Sequence, residues 1–152
     1  MERPLVVTDS DDSVVEIIRE AGELAAEVDA PLRVLTVVTD AEYQNDVEIL
    51  GTIGDFEGAD YRKGPTAYAE EVANTAITDL LSDLEVETEA IGKVVDDESD
   101  RAEAILEVAE KNDCDYIFLL GQRRSPTGKA IFGDTAQSVI LNFDKYVVTS
   151  SK

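Results

Sequence analysis

The chain has 152 residues, the size of one domain, and 43% of them are hydrophobic, enough to bury a substantial core. Its 34 acidic against 13 basic residues give a net charge of -21, which argues against nucleic-acid binding because a phosphate backbone needs a basic face. With no histidine and one cysteine, an intrachain disulfide, a Cys/His zinc site and histidine-based catalytic pairs are excluded.

The opening MERPLVVTDSDD meets acids at once, so no leader peptide or membrane span is expected, and a cytoplasmic location is. Leu5 to Val7 form a short apolar run before the turn-and-cap cluster TDSDDS. Asp9, Asp11 and Asp12 there read as a cation site or, more commonly, as caps and solvated acids. Val14, Ile17, Ile18, Ala21, Leu24, Ala25 and Val28 then recur at helical spacing, and DAP ends that helix. Leu32 to Val38 predict a second strand, rich in β-branched residues. Residues 39 to 65 hold four of the nine glycines and read as irregular, with AEYQNDVEIL as a minor helix. Thr66 to Leu84 predict a helix facing inward through Val72, Ala76, Ile77, Leu80, Leu81 and Leu84.

Val86 to Val94 alternate as a half-exposed edge strand. Asp100 is positioned to cap a helix that buries Ile105, Leu106, Val108 and Ala109. YIFLL, Tyr116 to Leu120, is uniformly apolar like a central parallel strand, and Cys114 just before it reads as a packed thiol. A glycine-bounded loop leads to a last helix with Ala136, Val139, Ile140 and Phe143 inward, and KYVVTS closes the chain as a strand. The order βαβαβαβαβ predicts a single α/β domain over residues 1–152, an open five-stranded parallel sheet with helices on both faces. Such sheets bind ligands beyond the carboxyl ends of their strands, where the strand order reverses.

The loop after the fourth strand, GQRRSPTGKAIFGD, is the candidate site. Tyr116 to Gly133 is the longest stretch without an acid, and it carries Arg123, Arg124 and Lys129. Cations beside a helix N-terminus suit an anion, since free backbone N–H groups point outward there. The two arginines read equally well as partners of nearby carboxylates. Gly121 is expected to let the chain turn, and Gly133 to let the backbone approach a ligand. The spacing is neither that of a Walker A loop nor of a dinucleotide-binding fingerprint. D-T-A-Q, Asp134 to Gln137, reads as a capping-box variant with Asp134 as the cap.

The chain resembles the universal stress proteins. It shares their element order, an aspartate (Asp9) in the turn after the first strand, and a similar last helix and strand, TAQSVILNFDKYVVTS. The RRSPTGKAIFG segment is similar to the form seen in salt-loving archaeal members, and the acidic composition matches a halophile's surface. ATP-binding members carry glycine, two residues, glycine, nine residues, glycine, then Ser or Thr. Here Arg124 stands for the middle glycine, the loop is one residue shorter, and Asp134 stands for the hydroxyl residue.

The resemblance implies a Rossmann-like fold of the adenine nucleotide alpha hydrolase type. Asp9 and the backbone near Val38 would border an adenine–ribose pocket. Gly121, Arg123, Arg124, Gly133, Asp134 and Thr135 would line the phosphate end, with Thr135 or Ser125 offering a hydroxyl. The expected ligand is ATP or AMP, with Mg²⁺ bridging Asp134 to phosphate oxygens, and binding is expected to be weakened or lost. The resemblance further implies a homodimer paired through the last strand, Lys145 to Ser150. A non-enzymatic stress-response role follows. The alternatives are a slow Mg²⁺-dependent nucleotide hydrolase or transferase and a nucleotide-free dimeric interaction module.

Overall fold

Apolar runs rich in valine, isoleucine and leucine become strands, and the amphipathic stretches between them become helices. The computed structural model describes residues 1–8, 13–52, 64–124 and 130–150. The chain runs β1 (Pro4–Thr8), α1 (Val14–Glu27), β2 (Leu32–Thr39), α2 (Asp40–Thr52), α3 (Pro65–Leu81) and β3 (Thr88–Val95). A 3₁₀ turn (Glu98–Asp100) leads into α4 (Arg101–Lys111) and β4 (Tyr116–Leu120). Two short strands, β5 (Gln122–Arg124) and β6 (Ala130–Phe132), precede α5 (Asp134–Asn142) and β7 (Tyr146–Ser150).

The main sheet has the order β3-β2-β1-β4-β7 and every pairing in it is parallel. Successive side chains of a strand point to opposite faces. Val6, Val34 and Phe118 therefore pack with α1 and α3, while Leu5, Leu35, Ile117 and Leu119 pack with α4 and α5. This is the five-stranded parallel sheet with helices on both faces that the sequence predicts.

AEYQNDVEIL does form a helix, as the body of α2. The rest of the irregular stretch, with Gly54 and Gly58, lies outside the described residues. α3 ends at Leu81, three residues short of the expected Leu84. Its fully buried residues are Ala69, Ala73 and Leu81, while Ala76, Ile77, Leu80 and Leu84 are only partly buried. The reason lies in Gly92 of β3, where an added Cβ would stand 2.7 Å from the Thr66 carbonyl oxygen. The helix backbone rests on the strand there, so small residues fill the contact. Leu24, Val28 and Ile140, expected inside, are 39%, 52% and 39% exposed. A helical period marks a stripe wider than the sheet beneath it covers.

The amino end of the sheet is closed by hydrogen bonds to backbone groups. Asp29 and Asp113 take left-handed backbone conformations, φ 56° and 53°, directly after α1 and α4. The next N–H groups, of Ala30 and Cys114, donate to the carbonyls of Ala25 and Ala109 at 2.9 and 2.8 Å. Both helices thus end in the same six-to-one motif, with Ala30 and Cys114 buried beneath. The Asp115 carboxylate accepts hydrogen bonds from the backbone N–H groups of Glu2 and Arg3, each at 2.8 Å, and so pins the chain's start.

Candidate functional site

The carboxyl end is built differently. Among the described residues β1 pairs with β2 as far as Thr8 opposite Thr36, while β2 pairs with β3 on to Thr39. Strand order reverses between β1 and β4, the place where open α/β sheets leave room for a ligand. A crevice of about 670 Å³ opens there. Val7, Thr8, Val37, Leu119 and Leu120 line it from the strands. Asp97, Glu98, Ser99, Arg101 and Ala102 at the α4 entry and the first turn of α5 supply most of the remaining wall. The buried Thr8 and Thr36 hydroxyls share a 2.7 Å hydrogen bond under this floor.

The loop after β4 is pinched at its base. The Gly133 N–H donates to the Gly121 carbonyl at 3.2 Å. Above that clasp Gln122, Arg123 and Arg124 pair antiparallel with Phe132, Ile131 and Ala130. Gly121 is not a turn glycine, since Gly64 is the only glycine with positive φ among the described residues. Its role is close packing, because a Cβ there would stand 2.7 Å from Cβ of Thr149 on β7 and 3.3 Å from the Phe132 ring.

Asp134 does not cap α5. Gly133, extended at φ -69° and ψ 153°, is the N-cap, and its carbonyl accepts the Gln137 N–H at 3.0 Å. Glycine is also an acceptable N-cap, and its clasp to Gly121 sets the helix start there. Asp134 becomes the first helical residue, exposed at the crevice mouth beside Thr135. The carboxylate still gains from the helix dipole at that position.

The fold thus gathers Gly121, Gly133, Asp134 and Thr135 at one place. Arg123 and Arg124 lie on the β5 arm of the same hairpin. Val38 is buried, paired opposite Val94, and its neighbour Val37 is the residue that lines the crevice. Asp9, Asp11, Asp12, Ser125 and Lys129 lie outside the described residues.

Sequence reasoning missed Arg101, the only basic side chain among the described residues lining the crevice. Its Nη1 donates to the Val37 carbonyl and its Nη2 to the Glu42 carboxylate. Nε lies 2.8 Å from Glu98 Oε1. Glu42 also accepts the Thr39 N–H at 2.8 Å, and the Glu42 N–H donates to Thr39 Oγ1 at 3.1 Å. That reciprocal pair is a capping box starting α2. Burial opposes the charge of Arg101, but Glu98 and Glu42 outweigh it and raise its pKa. A lone arginine at a helix start, in a chain with only 13 basic residues, is the signal that was there to read.

The model of the Universal stress protein family matches residues 1–149. A universal stress protein from Archaeoglobus fulgidus is 23% identical, with 98% of each chain covered and a TM-score of 0.65. A universal stress protein in complex with cAMP is 17% identical over 98% of this chain and 95% of that one, with a TM-score of 0.61. A universal stress protein from Archaeoglobus fulgidus in complex with dAMP is 17% identical over 98% of this chain and 97% of that one, with a TM-score of 0.59. No curated protein is significantly similar to the chain. Among the described residues no helix is long and apolar enough to cross a membrane.

Proposed function

The chain belongs to the universal stress protein family, and on that premise we propose that it is a non-enzymatic stress-response protein that takes an adenine nucleotide in the crevice between β1 and β4. The observation that carries this reading is the crevice itself. It has room for a nucleotide, an apolar floor and the N-terminus of α5 opening onto it. Two proteins of the same fold are complexes with cAMP and with dAMP. ATP or AMP is the ligand proposed here, with Mg²⁺ offsetting the Asp134 carboxylate when a triphosphate binds. The working form is proposed to be a cytoplasmic homodimer joined through β7, an edge strand with Tyr146 63% exposed on it and Leu141 73% exposed just before it. The surface charge suits high intracellular salt, which screens self-repulsion.

Mass spectrometry of small molecules released from protein purified in molar KCl tests the reading, followed by calorimetric titration with ATP and AMP. A stoichiometric adenine nucleotide is expected. Protein that arrives empty and gives no heat with either ligand would point to the second reading, a nucleotide-free dimeric interaction module. That second reading draws on the acids at the crevice wall, Asp97, Glu98 and Asp134.

A further inference from the structure

Anion binding in this crevice faces a difficulty. Three acids line it against one base among the described residues, and that base is engaged with two carboxylates and a carbonyl. The way out lies in unequal burial. The Arg101 side chain is 15% exposed, whereas Glu42 and Glu98 are 42% and 69% exposed. The carboxylates have water to turn to, and the arginine does not. A guanidinium carries five N–H donors, of which three are engaged among the described residues. Its fork matches phosphate oxygens two at a time, with charge-assisted bonds about twice as strong as neutral ones.

We propose that Arg101 is the ligand-facing cation of the crevice, held in reserve by Glu42 and Glu98, and that a phosphate-bearing ligand binds by taking the place of one of these carboxylates. Glu42 keeps its bond from the Thr39 N–H when Arg101 lets go, so α2 retains its capped start. The exchange breaks no backbone pairing. Its cost is moving a half-exposed carboxylate into water, offset by the phosphate that takes its place beside the guanidinium. This inference rests on the crevice being a phosphate-ligand site, and it names the residue that recognises the phosphate.

Equilibrium titrations of wild type, Arg101→Gln and Glu42→Gln with ATP and with inorganic pyrophosphate, in molar KCl, test it. Arg101→Gln is expected to weaken both ligands about tenfold or more, in line with the loss of a charged hydrogen-bond donor. Glu42→Gln keeps the capping box, which takes glutamine as readily, and is expected to tighten both. Were Arg101→Gln to unfold, Glu42→Gln decides alone, and unchanged or weaker binding in it overturns the proposal. Arg101-dependent binding of pyrophosphate without ATP would keep the arginine's role and dismiss the nucleotide reading. Equal ATP affinity in wild type and Arg101→Gln would do the reverse. Wild type that binds neither ligand overturns both.

Discussion

The two ends of the sheet solve the same problem with different means. Both must satisfy backbone groups where strands stop and helices begin. At the amino end the bonds end on backbone groups, with Asp29 and Asp113 in left-handed turns after α1 and α4, and the Asp115 carboxylate holding the N–H groups of Glu2 and Arg3. At the carboxyl end the strands stop at different heights, and the gap is spanned by one long side chain, Arg101, whose partners Val37 and Glu42 lie 64 and 59 residues away in sequence. A backbone N–H held at the closed end has one donor to give and no second partner to trade. An open end held by a guanidinium has bonds that can be exchanged, which is what a binding site needs.

Substitutions at each end sharpen this contrast. The largest effect is expected at the crevice base, where Gly121→Val drives a side chain into Thr149. Overpacking of this kind costs about 1–3 kcal/mol, and urea midpoints in molar KCl should fall accordingly, with nucleotide binding lost as β4, β7 and the hairpin base separate. A stability equal to wild type would mean that Gly121 is not packed as described. At the closed end, Asp115→Ala leaves two backbone N–H groups without their carboxylate. Each such bond contributes about 1 kcal/mol, so a fall of about 1–2 kcal/mol is expected with ligand affinity unchanged. A change in affinity would break the separation between the ends.

Acid should act on the closed end in a directed way. Burial opposes the charge of Asp115, but the N–H groups of Glu2 and Arg3 outweigh it and hold its carboxyl below the usual range. A folded-state pKa below the unfolded value gives stability that is present above the unfolded pKa and lost as pH falls through the folded one. Wild type should therefore lose more stability than Asp115→Asn on acidification below about pH 4, read from thermal midpoints across pH. Parallel curves for the two proteins would count against this assignment. The smallest effect is expected for Asp113→Gly. Its φ of 53° suits glycine, which reaches that region without steric cost but loses more unfolded-state entropy, so the change should stay within about 1 kcal/mol of zero. Differential scanning calorimetry would reveal a larger penalty, and that would show the Asp113 carboxylate contributing through Arg3 and Lys145, which lie 3.4 and 3.5 Å away.

How much of this was legible in the sequence follows from how far each signal reaches. Strands such as YIFLL and LRVLTVV declare themselves because a strand buried on both faces must be apolar throughout, and their order then dictates the parallel sheet. Glycine and the helix start at Gly133 were legible only as a cluster, since glycine and aspartate both serve as N-caps. The Gly121 clasp that decides between them is a tertiary contact. Leu24 and Ile140 misled because periodicity reports which face of a helix is apolar and not how far its neighbours extend. Arg101 was missed because two of its three partners, Val37 and Glu42, lie far from it in the chain.

The clasp between Gly121 and Gly133 has one more consequence. A single backbone bond at 3.2 Å joins the point where β4 leaves the sheet to the point where α5 begins, so the chain between Gly121 and Gly133 forms a loop closed at its base. Lengthening such a closed loop costs little, since closure entropy grows only with the logarithm of its length. Changes of length in that closed loop should therefore leave the scaffold beneath it much as it is.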